Sequence, residues 1–269
     1  MQTSDLPTVY IGIPTGFTKS YASLLMLATL QDIDYPPEKL KLTFAVTMLK
    51  NHPSAQKYLT RLQTLVEAAE LPYETNIITT HPTDQDYYRW GSYFGVICNL
   101  HALRMDFLQS DKEYFWLLGG DNPPLRQTLR KLIALDVDVA SGKIRQRPAK
   151  AEDNSAPIVL WQNYWEMKDL PISLEPVLRE ELRKAWLDYG FLKVPDFTKT
   201  KGIVNNCLFG SGCSLIRRRV FEYLGYALGY GGIHSEDLHF GLHSRLLGFS
   251  TAMDLDAECG HYDSDGMLY

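Results

Sequence analysis

No run of apolar residues in this 269-residue chain approaches the ~18 that a helix needs to cross a bilayer. The opening MQTSDLPTVYIGIP also lacks the basic and apolar regions of a secretory leader. Both absences point to a protein without a transmembrane segment, expected in the cytoplasm. Positive charge is scarce as well: 27 Lys and Arg stand against 32 Asp and Glu, a net charge of -5. A nucleic-acid partner is therefore not expected, because phosphate backbones are bound by clustered cations. The one local basic cluster, Arg217 to Arg219, is short and reads as the solvated start of a helix. Cys98, Cys207, Cys213 and Cys259 form neither CxxC pairs nor finger-like spacing, which argues for reduced, mostly buried thiols and against a zinc site or redox motif. A Cys207–Cys213 bridge is the one pairing left open. Neither GxGxxG after a strand nor GxxxxGK followed by Ser or Thr occurs, which leaves out the common phosphate loops.

What is present is a core-forming composition, 45% hydrophobic, in a chain sized for one large α/β domain. Residues 8–14 (TVYIGIP) form a short apolar run rich in β-formers and stopped by Pro14, the pattern of a buried strand entering a loop. Ser20 then caps an expected helix with Leu24, Leu25, Leu27, Ala28 and Leu30 on one broad face. The alternation continues with a strand at 41–49, a helix at 54–69, a strand at 73–80, a helix at 92–108 and the strand YFWLL at 114–118. A helix at 125–135 and a strand at 137–141 follow. Such alternation predicts a mostly parallel sheet covered by helices on both faces. Residues 150–157 read as a surface loop, and beyond them Trp161, Tyr164, Trp165, Trp186, Tyr189 and Phe191 gather, as core or as the lining of a sugar cleft. Order returns with helices at 218–224 and 236–247, the latter capped by Ser235 and stopped by Gly248, and a strand at 250–257.

Three segments carry candidate chemistry. In LLGGDNPP at 117–124, Asp121 sits at a strand's carboxyl end, where open parallel sheets bind ligands. It is either a turn residue before Asn122-Pro123 or a metal ligand. In ECGHYD at 258–263, His261 is either a satisfied histidine or the nitrogen partner of such a site. In HSEDLHF at 234–240, Glu236 and Asp237 open a helix. The macrodipole favours acids there, and a carboxylate kept ionised in that position also suits a general base.

In this order, IGIPT at 11–15, the acid at 121, GSGCSLIRR at 210–218, the Glu-Asp pair and the terminal histidine resemble the GT-A glycosyltransferases, especially the inverting family two. The resemblance implies an α/β, Rossmann-like fold in a single domain over 1–269. Its nucleotide-sugar-binding half would span about 1–147, and its acceptor-binding and catalytic half about 148–269. It implies that Pro14 and Thr15 lie beside the nucleotide base, that Asp121 is the second acid of an Asp-x-Asp motif, and that Asp121 and His261 hold Mn2+ or Mg2+. Asp237 would then be the catalytic base, with Glu236 orienting the acceptor or sugar. Gly119 stands where the first acid of the motif belongs, with Asn122 available as a replacement polar contact to the donor. No Gln-x-x-Arg-Trp follows the Glu-Asp pair, so transfer of one sugar is expected rather than processive synthesis.

The implied donor is a UDP- or GDP-linked sugar, and the implied acceptor a glycan or small molecule. Three alternatives stand beside an inverting transferase. They are a retaining GT-A enzyme, a non-catalytic nucleotide- or carbohydrate-binding module, and a nucleotidyltransferase. The last would want more basic residues after the first strand than IPTGFTKSY, with its single Lys19, provides.

Overall fold

The computed structural model describes residues 5–83, 92–145, 158–159, 201–205, 212–226, 236–264 and 266. Within them the strands β1 (Val9–Thr15), β2 (Leu40–Thr47), β3 (Glu74–Thr80), β4 (Tyr114–Leu118), β5 (Val139–Arg145), β6 (Ile158–Val159), β7 (Ile203–Asn205), β8 (Cys213–Arg217) and β9 (Thr251–Cys259) form one sheet. Its order is β3-β2-β1-β4-β8-β5-β9-β7, with β6 beside β5. β1 pairs in parallel with β2 and β4, β2 with β3, and β5 with β9. β8 runs antiparallel between β4 and β5, and β7 runs antiparallel to β9. The carboxyl ends of β1, β2, β4, β5 and β9 therefore share one edge with the amino end of β8.

The helices α1 (Ser23–Gln31), α2 (Pro53–Ala69), α3 (Ser92–Gln109), α4 (Thr128–Ala134), α5 (Arg218–Tyr223) and α6 (Glu236–Leu246) cover the sheet. Alternation along the strands decides which helix lies where, because successive side chains point to opposite faces. Val9, Ile11, Ile13, Trp116 and Leu118 pack with Met26, Leu30, Leu62 and Leu129, under α1, α2 and α4. Tyr10, Phe115 and Leu117 pack with Leu103, Phe107, Phe221 and Phe240, under α3, α5 and α6. The uninterrupted apolar run of β4 follows from burial on both sides.

Several boundaries differ from expectation. Ser20 does not cap α1; it closes a 3-10 turn over Phe17–Lys19, and the helix starts at Ser23 behind Ala22. α4 begins at Thr128 rather than 125; ahead of it, Leu125 N–H bonds the Glu258 carbonyl at 3.2 Å, tying this stretch to β9. GSGCSLIRR contains a strand, β8, that the alternation of parallel units does not anticipate.

The arginine cluster does open a helix, with α5 starting at Arg218 and the Arg219 side chain 60% exposed, but its guanidiniums also bond the protein. Arg218 donates to the carbonyls of Phe107, Leu108, Ser110 and Lys112, and Arg219 pairs with Asp138. The exposed carbonyls at the end of α3 and a buried carboxylate both require donors, and the arginines supply them. Cys213 and Cys259 are buried free thiols, so no bridge joins Cys213 to Cys207, which lies outside the described residues. The aromatic cluster at 161–191 and the Ser235 cap also lie outside them. Among the described residues no helix is long and apolar enough to cross a membrane.

Candidate functional site

The last strand brings Asp121 and His261 together by backbone pairing. β4 ends at Leu118, and the Gly119 N–H reaches the Gly212 carbonyl at 2.9 Å, beside the start of β8. The chain then runs antiparallel to the end of β9: Gly260 N–H donates to the Pro123 carbonyl and Tyr262 N–H to the Asp121 carbonyl, both at 2.9 Å, and Pro124 bridges Cys259. Pro123 and Pro124 have no N–H to give; the Pro123 carbonyl acts as an acceptor on this stretch, and both rings stiffen the turn. Thr128 Oγ1 adds a bond to the Glu258 carbonyl at 2.6 Å. Asp121 and His261 thereby face each other, with Asp121 Oδ2 3.4 Å from His261 Nε2.

Two side chains that sequence reasoning missed complete the surroundings of that oxygen. Lys19 Nζ forms an ion pair with Asp121 Oδ2, and Tyr21 OH donates to it at 3.2 Å. The Asp121 side chain is 7% exposed and that of Lys19 41%. Burial works against an ionised Asp121, but the hydrogen bond from His261 and the charge of Lys19 outweigh it and hold the carboxyl below its usual range. Burial likewise opposes the Lys19 charge and is outweighed by Asp121, so the ammonium is stabilised. Burial and the adjacent carboxylate both push the Tyr21 phenol up, which keeps it a donor.

Asp121 and His261 fit a hard divalent ion as a two-ligand set. Neighbouring ligands of an octahedral ion with ~2.1 Å bonds lie roughly 3 Å apart, close to the observed separation. Among the described residues no cluster of three or more His, Cys, Asp or Glu adds a further ligand. That composition suits Mg2+-like ions, which commonly take one or two carboxylates and fill the remaining positions with phosphate and water. The His261 Nδ1 atom is buried without a hydrogen-bond partner among the described residues, so the usual outer partner of a ligating histidine is missing there.

Gly119 and Asn122 are coupled by packing. A Cβ at 119 would meet Asn122 Oδ1 at 2.1 Å, while Asn122 Nδ2 donates to the Gly260 carbonyl at 3.3 Å. The asparagine fills the space that a side chain at 119 would take, and ties the turn to the strand that delivers His261. Gly120 lies against β1, where a Cβ would come within 3.0 Å of both the Pro14 carbonyl and Thr15 Oγ1. Pro14, Thr15 and Asp121 thus share one rim.

The rim is fixed from below by Asn99 of α3. Its amide nitrogen donates to the Thr15 carbonyl at 3.0 Å and to Thr47 Oγ1 at 2.9 Å, and its oxygen accepts from Thr80 Oγ1 at 2.5 Å. One buried amide thereby joins the ends of three strands. Thr15 Oγ1 also meets Tyr58 OH at 2.8 Å, and burial raises that phenol's pKa. An asparagine within the apolar stretch of α3 is the available sequence signal.

Glu236 and Asp237 are buried in the first turn of α6. The Ser250 end of β9 lies at the amino edge beside Asp138, and the Phe249 N–H bonds the Ser244 carbonyl near the end of α6. Among the described residues the Asp121 carboxylate meets Lys19, Tyr21 and His261, but neither of these two acids. Their charges, after burial itself, raise the pKa of Tyr226, whose ring stacks on Phe240 at 4.6 Å.

No protein-family model matches the sequence, and no curated protein matches it. Solved structures match its fold. TarS residues 1–349 of S. aureus in complex with UDP-GlcNAc aligns with a TM-score of 0.54 and 10% identity, over 94% of this chain and 57% of that one. The mannosyltransferase PcManGT from Pyrobaculum calidifontis, in complex with GDP-Man and Mn2+, aligns with a TM-score of 0.55 and 14% identity, over 98% of this chain and 59% of that one. The chain spans less than two thirds of the length of either neighbour. Taken with the sheet order and the helices on both faces, these likenesses show that the chain has the α/β GT-A fold.

Proposed function

We propose that the chain is a metal-dependent glycosyltransferase that moves one sugar from a UDP- or GDP-linked donor to a hydroxyl of a glycan or small-molecule acceptor. The observation that carries this reading is the convergence of Asp121 Oδ2 and His261 Nε2, 3.4 Å apart, at the carboxyl edge of a GT-A sheet. The species bound in the neighbours, UDP-GlcNAc in one and GDP-Man with Mn2+ in the other, point the same way. Asp121 and His261 would hold Mn2+ or Mg2+, which when bound supplies charge neutralisation at the leaving diphosphate. Pro14 and Thr15, set by Asn99 and Tyr58, flank the nucleotide base.

In the inverting course, Asp237 accepts the proton of the acceptor hydroxyl as that oxygen bonds to the anomeric carbon. The bond from that carbon to the diphosphate, on the opposite face, breaks, and the nucleoside diphosphate leaves with its electrons. Glu236 orients the acceptor or the sugar. A binding module without catalysis is the second reading, favoured by Gly119, where a first acid would fit only if the Asn122 side chain shifted.

A thermal-shift screen of UDP, GDP and their sugars, with and without Mn2+, tests the reading. Stabilisation of about 2.7 kcal/mol is expected at a hundredfold excess over the dissociation constant, and only with metal; an equal response without metal overturns the Asp121–His261 assignment. Slow Mn2+-dependent release of nucleoside diphosphate from the donor separates enzyme from binder, and the anomeric configuration of the product separates inversion from retention. Asp237→Asn should keep the thermal shift and lose at least about a hundredfold in turnover.

A further inference from the structure

Asp121 presents a cation problem that the metal reading alone leaves unsolved. A carboxylate this deeply buried costs several kcal/mol unless a positive partner or hydrogen-bond donors meet it. The positive partner in contact with it is Lys19, whose ammonium meets Oδ2, the same oxygen that faces His261 Nε2. Lys19 ends the 3-10 turn Phe17–Lys19, which directly follows the β1 rim. Its side chain is 41% exposed, whereas the carboxylate it touches is 7% exposed. A buried anchor on a half-exposed, four-carbon arm can be released without repacking the core.

We propose that Lys19 is the resident cation of this site, occupying Asp121 while the donor is absent and moving to the donor's diphosphate when metal and nucleotide arrive. The proposal rests on the reading of Asp121 and His261 as metal ligands, and deepens it. Two positive charges on one carboxylate oxygen repel, so the ammonium and a divalent ion compete for Oδ2. The incoming diphosphate is the anion that gives a displaced Lys19 a new partner within reach of the same rim. Tyr21, which donates to the same oxygen from two residues further along, keeps Asp121 hydrogen-bonded through the exchange. The consequence is an order of events: free metal binds poorly, and metal with nucleotide binds well, because only the nucleotide compensates Lys19.

Mn2+ binding followed by electron paramagnetic resonance, with no nucleotide present, tests this on the full chain. Lys19→Met should tighten nucleotide-free Mn2+ at least tenfold, because the competitor is gone. Binding of UDP or GDP at saturating Mn2+, measured by calorimetry, should weaken at least fivefold in the same variant, because the diphosphate loses the ammonium. Lys19→Arg keeps a cation on the carboxylate and so guards against misfolding from an uncompensated Asp121. Its two-pronged grip is harder to displace, so the Mn2+ concentration needed to support nucleotide binding should rise at least threefold.

An Mn2+ affinity within twofold of wild type in Lys19→Met, or in Lys19→Arg an unchanged Mn2+ requirement for nucleotide binding, overturns the exchange while leaving the metal pair standing. Nucleotide binding with no Mn2+ bound in any variant, Asp121→Asn included, overturns both.

Discussion

At the residue scale, the candidate site depends on side chains that satisfy each other in pairs, and Gly119 with Asn122 is the pair most open to a direct test. An aspartate at 119 would restore the acid that an Asp-x-Asp motif expects, but its Cβ would lie 2.1 Å from Asn122 Oδ1. Gly119→Asp alone is therefore expected to lower stability by about 2 kcal/mol, the usual cost of overfilling a packed position. Asn122→Ala alone loses the bond to the Gly260 carbonyl, worth about 1 kcal/mol. The double variant should cost less than the sum, by at least about 0.5 kcal/mol, because the second change removes the clash made by the first. Urea unfolding of the four proteins measures the coupling; strict additivity would show that Asn122 does not occupy the space of the missing acid.

The meeting of Asp121 and His261 at one sheet edge is legible in the sequence, because one follows a strong strand and the other closes the last one; their role as metal ligands is the proposal. Lys19, Tyr21, Asn99 and Tyr58 are not legible, since each matters only through a partner far along the chain, and no local period marks a side chain that reaches across a sheet.

At the element scale, the strands and helices with a strong period are legible to within a few residues: β4 is the stretch 114–118 that its apolar run predicts, and α3 differs by one residue from expectation. β8 escapes because its five residues are buried without a break from Cys213 to Ile216 and so show no alternation, and its antiparallel insertion depends on β4 and β5 as neighbours. The basic run that follows it is legible as a helix start, but the bonding of Arg218 is not, for a related reason. A guanidinium at a helix start looks solvated until the end of another helix is placed beside it.

Arg218 lies over the Phe107 ring at 4.8 Å, and its donors meet two carbonyls in the last turn of α3: that of Leu108, which has no intrahelical N–H to bond it, and that of Phe107, which also accepts from the Ser110 N–H and hydroxyl. Arg218→Ala is expected to destabilise by about 3 kcal/mol, from lost charge-assisted bonds and lost packing of the arm. A second variant, Arg218→Lys, should recover less than half of this, because one ammonium cannot span four carbonyls. The midpoint of chemical unfolding reads both. An alanine variant as stable as wild type would return Arg218 to the role of a solvated residue.

At the scale of the whole molecule, the sheet is fastened at its amino edge as well as at the site, and that fastening makes stability depend on pH. Asp138 immediately precedes β5. Its carboxylate accepts from Ser250 N–H at 2.9 Å and Ser250 Oγ at 2.8 Å at the start of β9, and pairs with Arg219 of α5. Burial alone would raise its pKa; the bonds from Arg219 and Ser250 outweigh burial and hold it below the ordinary carboxylate range. The folded form therefore releases this proton more readily than the unfolded chain, where an aspartate titrates near ~3.9. It follows that the contribution of Asp138 is fully present above that value and is lost as pH falls through the lower, folded pKa. Asp138→Asn keeps the shape and removes the charge, so it should cost about 2 kcal/mol at neutral pH. The stability gap between variant and wild type should close as the pH is lowered below about 4. Unfolding curves for both proteins from neutral pH down to about 3 decide it: a gap that stays constant over that range would mean the buried carboxyl is not held ionised by Arg219 and Ser250, and that β5 and β9 are joined at their starts by backbone pairing alone.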